Sequence, residues 1–149
     1  MPLTQTADVS ALYERDETAW LETMAELLAS NRFDEIDYPH LSEYLSDMAR
    51  RDRREVYSRL VVLLCHLLKW EYQPEQRAGS WRGTIREQRR ELRQLLESGT
   101  LNNHASDVFA EAYAEARKQA ADECEVDINT FPAECAWELD AIVNNELEK

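Results

Sequence analysis

His66 has the widest chemical scope of any side chain in this sequence, and its neighbours at helical spacing are polar. At 100° per residue, Arg59, His66, Trp70 and Gln73 form one stripe, and Thr84 and Gln88 form a second on the next helical pattern. Two antiparallel helices would bring these stripes together. Imidazole, guanidinium, amide and indole groups would then converge on a small polar ligand, with His66 as proton donor or acceptor. The same residues serve equally as a lock, since buried polar side chains need partners, and His66 and Gln88 could satisfy each other or backbone groups. Cys65 adjoins His66, but adjacent helical residues point about 100° apart. The thiol therefore reads as a small buried apolar group rather than a nucleophile. Ser80 could be a nucleophile and is an equally good helix N-cap. His40 and Glu43 have an i, i+3 spacing that suits a metal or a surface pair. Cys124 and Cys135 lie too far apart for a structural zinc site, so no metal or cofactor is expected. No G-x-S-x-G, H-E-x-x-H, P-loop or dinucleotide fingerprint occurs, and no catalytic residue is assigned.

The elements that must position these groups read as helices. A chain of 149 residues with 44% hydrophobic content, three glycines and four prolines suits one α-helical domain over residues 1–149 better than an all-β fold. Residues 1–9 have no periodic apolar pattern and are expected to fray. Asp16 caps a helix through about Ser30, with Trp20, Leu21, Met24, Leu27 and Leu28 on one face and Asn31 as its stop. Phe33–Pro39 is a connector docking Phe33 and Ile36 on the core. A helix then starts at Asp37 or Tyr38, with Pro39 tolerated early. The charged stretch ARRDRREV is either a solvated mid-helix turn or a break capped by Asp52. From Val56 to Leu68 the apolar pattern widens into a central, leucine-rich helix that ends before Pro74.

Gly79 and Ser80 permit a turn and a cap for the next helix. Its core face carries Trp81, Thr84, Ile85, Gln88, Leu92, Leu95 and Leu96, its edge carries Arg82, Arg86, Arg89 and Arg93, and Gly99 is expected to end it. An alanine-rich helix runs from Asn102 to about Glu125. A Phe131-Pro132 step and a short helix near Trp137–Asn144 follow. The expectation is an all-α, single-domain compact bundle of five or six helices.

Charge is unevenly placed in a chain of net charge −13. Residues 1–49 hold 2 Arg and 11 acids, residues 50–93 hold 12 Lys/Arg and 6 acids, and residues 94–149 hold 3 basic residues and 13 acids. The arginines around Trp81 superficially suit phosphate contacts. A net charge of −13 repels a polyanion, however, and Trp81 falls on the core face, so nucleic-acid binding is not expected. The longest apolar run, Leu60–Leu68, falls short of the roughly 18 residues of a membrane span. Three cysteines that cannot all pair within one chain suit reduced thiols, and a cytoplasmic location is expected.

The blocks HLLKWEYQP and SWRGTIREQRREL, with the earlier LYERDETAWLETMAELL and the later FPAECAWEL, resemble a bacterial family known as domain of unknown function 29. The resemblance runs from about Leu12 to Leu139 and rests on Trp70, Tyr72, Gln73, Pro74, Trp81, Ile85, Arg86 and Gln88 occurring together. It implies a small helical cytosolic protein and brings no activity, cofactor or catalytic residue. The family often has a glycine and a serine near Ala49–Asp52, which this chain lacks. The functional expectation is a protein-interaction or regulatory binding module that meets another protein or a second copy of itself. Its candidate surface is Arg59, His66, Trp70, Tyr72, Gln73, Arg77, Trp81, Thr84, Arg86 and Gln88. The alternative is a small-ligand-binding protein or enzyme built on a His66-centred pocket.

Overall fold

The computed structural model describes residues 2–145, with side chains from Val9 onward. Among these residues there are six α-helices and no strand, as the all-α reading expects: α1 (Pro2–Arg15), α2 (Glu17–Ala29), α3 (Tyr38–Tyr72), α4 (Gly79–Leu95), α5 (Gly99–Cys124) and α6 (Leu139–Asn144). Contacts group into two units, one up to Arg50 and one from Arg51, and α3 contributes to both.

In the first unit, Trp20, Met24, Leu27 and Ile36 are buried, with Val9, Leu12, Tyr13, Leu21, Leu41 and Tyr44 packed around them. Helix α1 begins at Pro2, within the segment expected to fray. Met1 lies outside the described residues, and Val9, the first residue whose side chain is described, packs on the apolar cluster. Asp16 separates α1 from α2 and caps the latter, accepting the Ala19 N–H at 3.1 Å. Asn31 stops α2 in the left-handed conformation (φ 58°). The Arg32 N–H reaches back to the Leu27 carbonyl and the Asn31 N–H to that of Leu28, the bonding of a Schellman turn. Ile36 docks on the core as expected; Phe33 does not, and is half exposed.

The charged stretch before Val56 is solvated helix rather than a break, since α3 runs unbroken for 35 residues. From Leu60 to Trp70 every residue of α3 except Val62 and His66 is buried, so this segment is covered on nearly all sides. Helix α4 lays Ile85 and Leu92 against it. Each buries about 1.5–3 kcal/mol of apolar side chain. By contrast, an exposed pair such as Arg50–Asp47 contributes about 0–1 kcal/mol. Apolar burial therefore sets the packing. Helix α5 presents Ala105, Ala112, Ala116 and Ala120, all fully buried, and side chains this short let its backbone come close. Phe131, Ile142 and Val143 complete the cluster.

Two boundary expectations and one facial placement are corrected. Ser80 caps nothing: α4 begins at Gly79 with Ala78 in the cap position and no side-chain cap. Gly99 does not end α4 but opens α5, whose cap is Ser98, accepting the Leu101 N–H at 3.3 Å. Arg89 does not line the exposed edge of α4. It is buried, and its Nε–H donates at 2.7 Å to the Ile142 carbonyl in the last turn of α6.

Glu125 ends α5 in the left-handed region (φ 53°), a conformation that costs a non-glycine residue about 1–2 kcal/mol. The Val126 N–H closes the turn on the Ala121 carbonyl, so the conformation is required by the cap. Glu125→Gly should therefore stabilise the protein by about 0.5–1 kcal/mol, against the usual loss for glycine within a helix. Urea unfolding of the two proteins checks this, and a destabilised variant would refute it.

Candidate functional site

The hairpin of α3 and α4 gathers most of the candidate residues. A single 3-10 turn at Pro74–Gln76 joins the two helices. Arg77, in that connection, donates from Nε to the Trp70 carbonyl at 2.7 Å and sets its guanidinium 4.8 Å from the Trp70 ring centroid. Arg82, from the first turn of α4, lies over the same ring at 4.9 Å. Trp70 is buried, and its π face holds two cations, each contact worth about 0.5–1 kcal/mol or more as it is desolvated. Trp81 is partly buried against the core, with the Lys69 ammonium 4.9 Å from its centroid.

Lys69 is the centre of a second cluster. Its ammonium is buried and sits 2.8 Å from Glu123 Oε2 on α5. Cys65, one turn earlier, donates its thiol to the same oxygen at 3.4 Å, and Gln119 donates to Oε1 at 3.2 Å. Burial would raise the Glu123 carboxyl, but the bonds from Lys69 and Gln119 and the ammonium charge outweigh it and hold the group below 4.5. Burial, followed by the nearby Glu123 charge, pushes the Cys65 thiol up to about 12. Fully buried and un-ionised at neutral pH, that sulfur is a donor and not a nucleophile.

The two polar stripes meet differently from the way their spacing suggests. Arg59 spans α3 and α4: Nε donates to Glu55 at 2.9 Å, Nη1 donates to Gln88 Oε1 at 3.1 Å, and Nη2 is 3.9 Å from Glu91. His66 uses Nδ1–H on the Val62 carbonyl of its own helix at 2.9 Å. Among the described residues His66 and Gln88 share no hydrogen bond: the first is satisfied by backbone and the second by Arg59. Thr84 is half-buried, Gln73 is half-buried at the end of α3, and Arg86 is exposed. Tyr72, partly exposed, meets Phe131 edge-on at 6.0 Å.

A further polar network escaped the sequence reading. Asp37, at the start of α3, is buried and accepts the Trp20 indole N–H at 3.1 Å, while His40 Nδ1 lies 2.6 Å from the same oxygen. Tyr13 stacks on His40 at 4.3 Å, and Ser10 Oγ is 3.4 Å from the same Nδ1. A serine–histidine–aspartate relay needs the carboxylate and the hydroxyl on opposite ring nitrogens. Here both sit on one, so the network locks α1, α2 and the start of α3 rather than activating Ser10. Spacing did offer a hint, since Asp37 and His40 are three apart at a helix start. Lys69 had one too, as a lone lysine within a leucine run.

The family model described as Domain of unknown function DUF29 matches residues 12–147. Neither the curated proteins nor the solved structures gave a match.

Burial is the largest influence on His66 and lowers it below its ordinary 6.5, against the opposing effect of the Val62 bond. A folded-state value below the unfolded one means that the unfolded chain takes up protons first as pH falls. The stability is then present above about 6.5 and is lost as pH drops below it. Calorimetric melting from about pH 7.5 to pH 5 should show this decline, and His66→Gln should flatten it. Identical pH slopes in the two proteins would remove His66 as the cause. Glu123→Gln should cost roughly 1–2 kcal/mol in chemical denaturation, below the range for a fully buried pair because Glu123 is 42% exposed.

Proposed function

We propose, for a chain that belongs to the DUF29 family, a protein-binding role in which the exposed arginine edge of α4 docks an acidic helix of a partner. The observation that carries this reading is how the polar groups divide. The groups with scope for catalysis are taken up internally: His66 by Val62, Gln88 by Arg59, Lys69 by Glu123, and Cys65 as a buried thiol. Arg82, Arg86, Arg90 and Arg93 fall within one arc of α4, and all four are exposed. Of these, Arg82 stacks on Trp70, and among the described residues Arg90 pairs only with its neighbour Glu91, at 3.3 Å on the surface. Arg86 and Arg93 have no ion pair among the described residues. Guanidinium forks suit carboxylates, and helical spacing on both partners would place them in register.

A second copy of the chain is the next reading, supported by its own charge distribution: the segments flanking the basic centre carry 11 and 13 acids. Exposed Glu22 and Glu26 of α2 have the i, i+4 spacing of such an edge. A His66-centred ligand site has less support, because its imidazole and the Gln88 amide turn to different partners.

Titration of a fluorescent helical peptide carrying glutamates at i, i+4 tests the proposal. Saturable binding at low salt is expected, at least about tenfold weaker in Arg82→Glu/Arg86→Glu/Arg90→Glu, with a shallower salt dependence. Arg89 is left unchanged because it is buried. Sedimentation of the protein alone separates self-association from docking of another chain. Equal affinity of parent and variant for the peptide, with no salt-dependent dimer, would overturn the role.

A further inference from the structure

Helices α3 and α5 run parallel, as their contacts show: Tyr57 and Val108 share one groove, while further along Lys69 meets Glu123. The groove has a volume of about 360 Å³, at the small end of the range for ligand sites. Tyr57 and Val108 are partly buried against the core and give it an apolar floor. Arg53, Arg54 and Ser58 from α3 and His104 from α5 form its polar rim, and Glu111 stands one helical period beyond Val108.

Five arginines lie between residues 50 and 59, and their pairing is selective. Arg50 is held by Asp47, and Arg59 by Glu55 and Gln88. Arg51, Arg53 and Arg54 have no ion pair among the described residues, although the chain carries 30 acids, and of these three Arg53 and Arg54 line the groove. Burial, then the Glu111 and Glu115 charges, raises the Tyr57 hydroxyl above its ordinary 10.0, which keeps it a donor at neutral pH. Guanidinium, imidazole and hydroxyl donors around a short apolar floor suit an oxyanion attached to an apolar body. The net charge of −13 opposes a polyanion, which selects a ligand with a single anionic head over nucleic acid.

We infer that this groove binds a small amphiphilic oxyanion. A carboxylate or phosphate head engages Arg53, Arg54 and the His104 side of the rim, and a short aromatic or branched body lies on Tyr57 and Val108. The site is separate from the α4 edge, because Arg59 and not Arg53 or Arg54 faces α4. Its existence is independent of the docking role.

Chemical-shift titration of the full ¹⁵N-labelled chain is the test, with phenyl phosphate, benzoate, inorganic phosphate and benzyl alcohol as probes. Phenyl phosphate or benzoate should bind with a Kd below about 1 mM and shift Tyr57, His104 and Val108. Which of the two binds tighter identifies the head. Inorganic phosphate and benzyl alcohol, the head and the body alone, should each bind at least about tenfold more weakly. Arg53→Gln/Arg54→Gln should weaken binding about tenfold or more without changing the melting temperature, since both side chains are exposed. Glu111→Gln should tighten binding severalfold, because it removes the groove's one carboxylate. The inference fails if neither head-bearing probe shifts these residues, if inorganic phosphate binds as well, or if the double arginine variant binds unchanged.

Discussion

An ammonium group set into a leucine-packed helix has to be neutralised where it stands, and much of the second unit is arranged around that requirement. Lys69 is buried with Leu67, Leu68 and Trp70 beside it. Transfer of an isolated charge into such surroundings costs several kcal/mol even after relaxation. Three helices contribute to the compensation. Helix α5 supplies the Glu123 carboxylate, α4 supplies the Trp81 π face, and α3 itself supplies the Cys65 thiol that donates to the same carboxylate. Because Glu123 lies on the last turn of α5, the pair also fixes how far α5 can slide along α3. An apolar interface alone would tolerate such a shift; a 2.8 Å ion pair with a second donor does not.

Helix identities and faces were legible in the sequence wherever apolar periodicity ran long enough, as in Val56–Leu68 and Ala105–Ala120. The ends were legible where one side chain carries the reason. Asp16 accepts a first-turn N–H, Asn31 takes the left-handed turn, and Pro74 halts α3 at Tyr72. Reading failed where backbone groups decide. Ser80 and Gly99 are good cap and stop residues by type, yet the cap of α4 falls two residues before Ser80, at Ala78, and Ser98 takes the cap that makes Gly99 a start. Glu125 shows the converse, a residue of the wrong type in a left-handed cap that the Val126 N–H closes on the Ala121 carbonyl.

The candidate site was legible only as an inventory. Periodicity placed Arg59, His66, Trp70, Trp81 and Gln88 on facing helices, and the structure has them there. It could not rank partners, because hydrogen-bond choice depends on reach. A guanidinium on a long stem crosses from α3 to α4 and takes Gln88, whereas a short imidazole finds the carbonyl one turn behind it. The Lys69–Glu123 pair joins positions 54 residues apart, and no local pattern encodes it. The Asp37 network was hidden for a related reason: a buried aspartate is identified by the indole and imidazole around it, which come from different helices.

Arg86 and Arg89 show how little residue type says about role on such a helix. They are three positions apart on α4, and edge positions by spacing alone. Arg89 turns inward, where burial lowers its ordinarily very high basicity, followed by the like charge of Arg93, and it donates to the Ile142 carbonyl in the last turn of α6. Replacing it removes a donor from the interior. Arg86 is exposed and bonds to nothing among the described residues, so the fold gains little from its charge. A guanidinium that a structure does not use internally still repels its like-charged neighbours Arg82, Arg90 and Arg93 along the same arc. In the proposed docking role, carboxylates of the partner would relieve that repulsion. The acids of α4 itself, Glu87 and Glu91, meet it only in part, since Glu91 is already drawn toward Arg59 and Arg90.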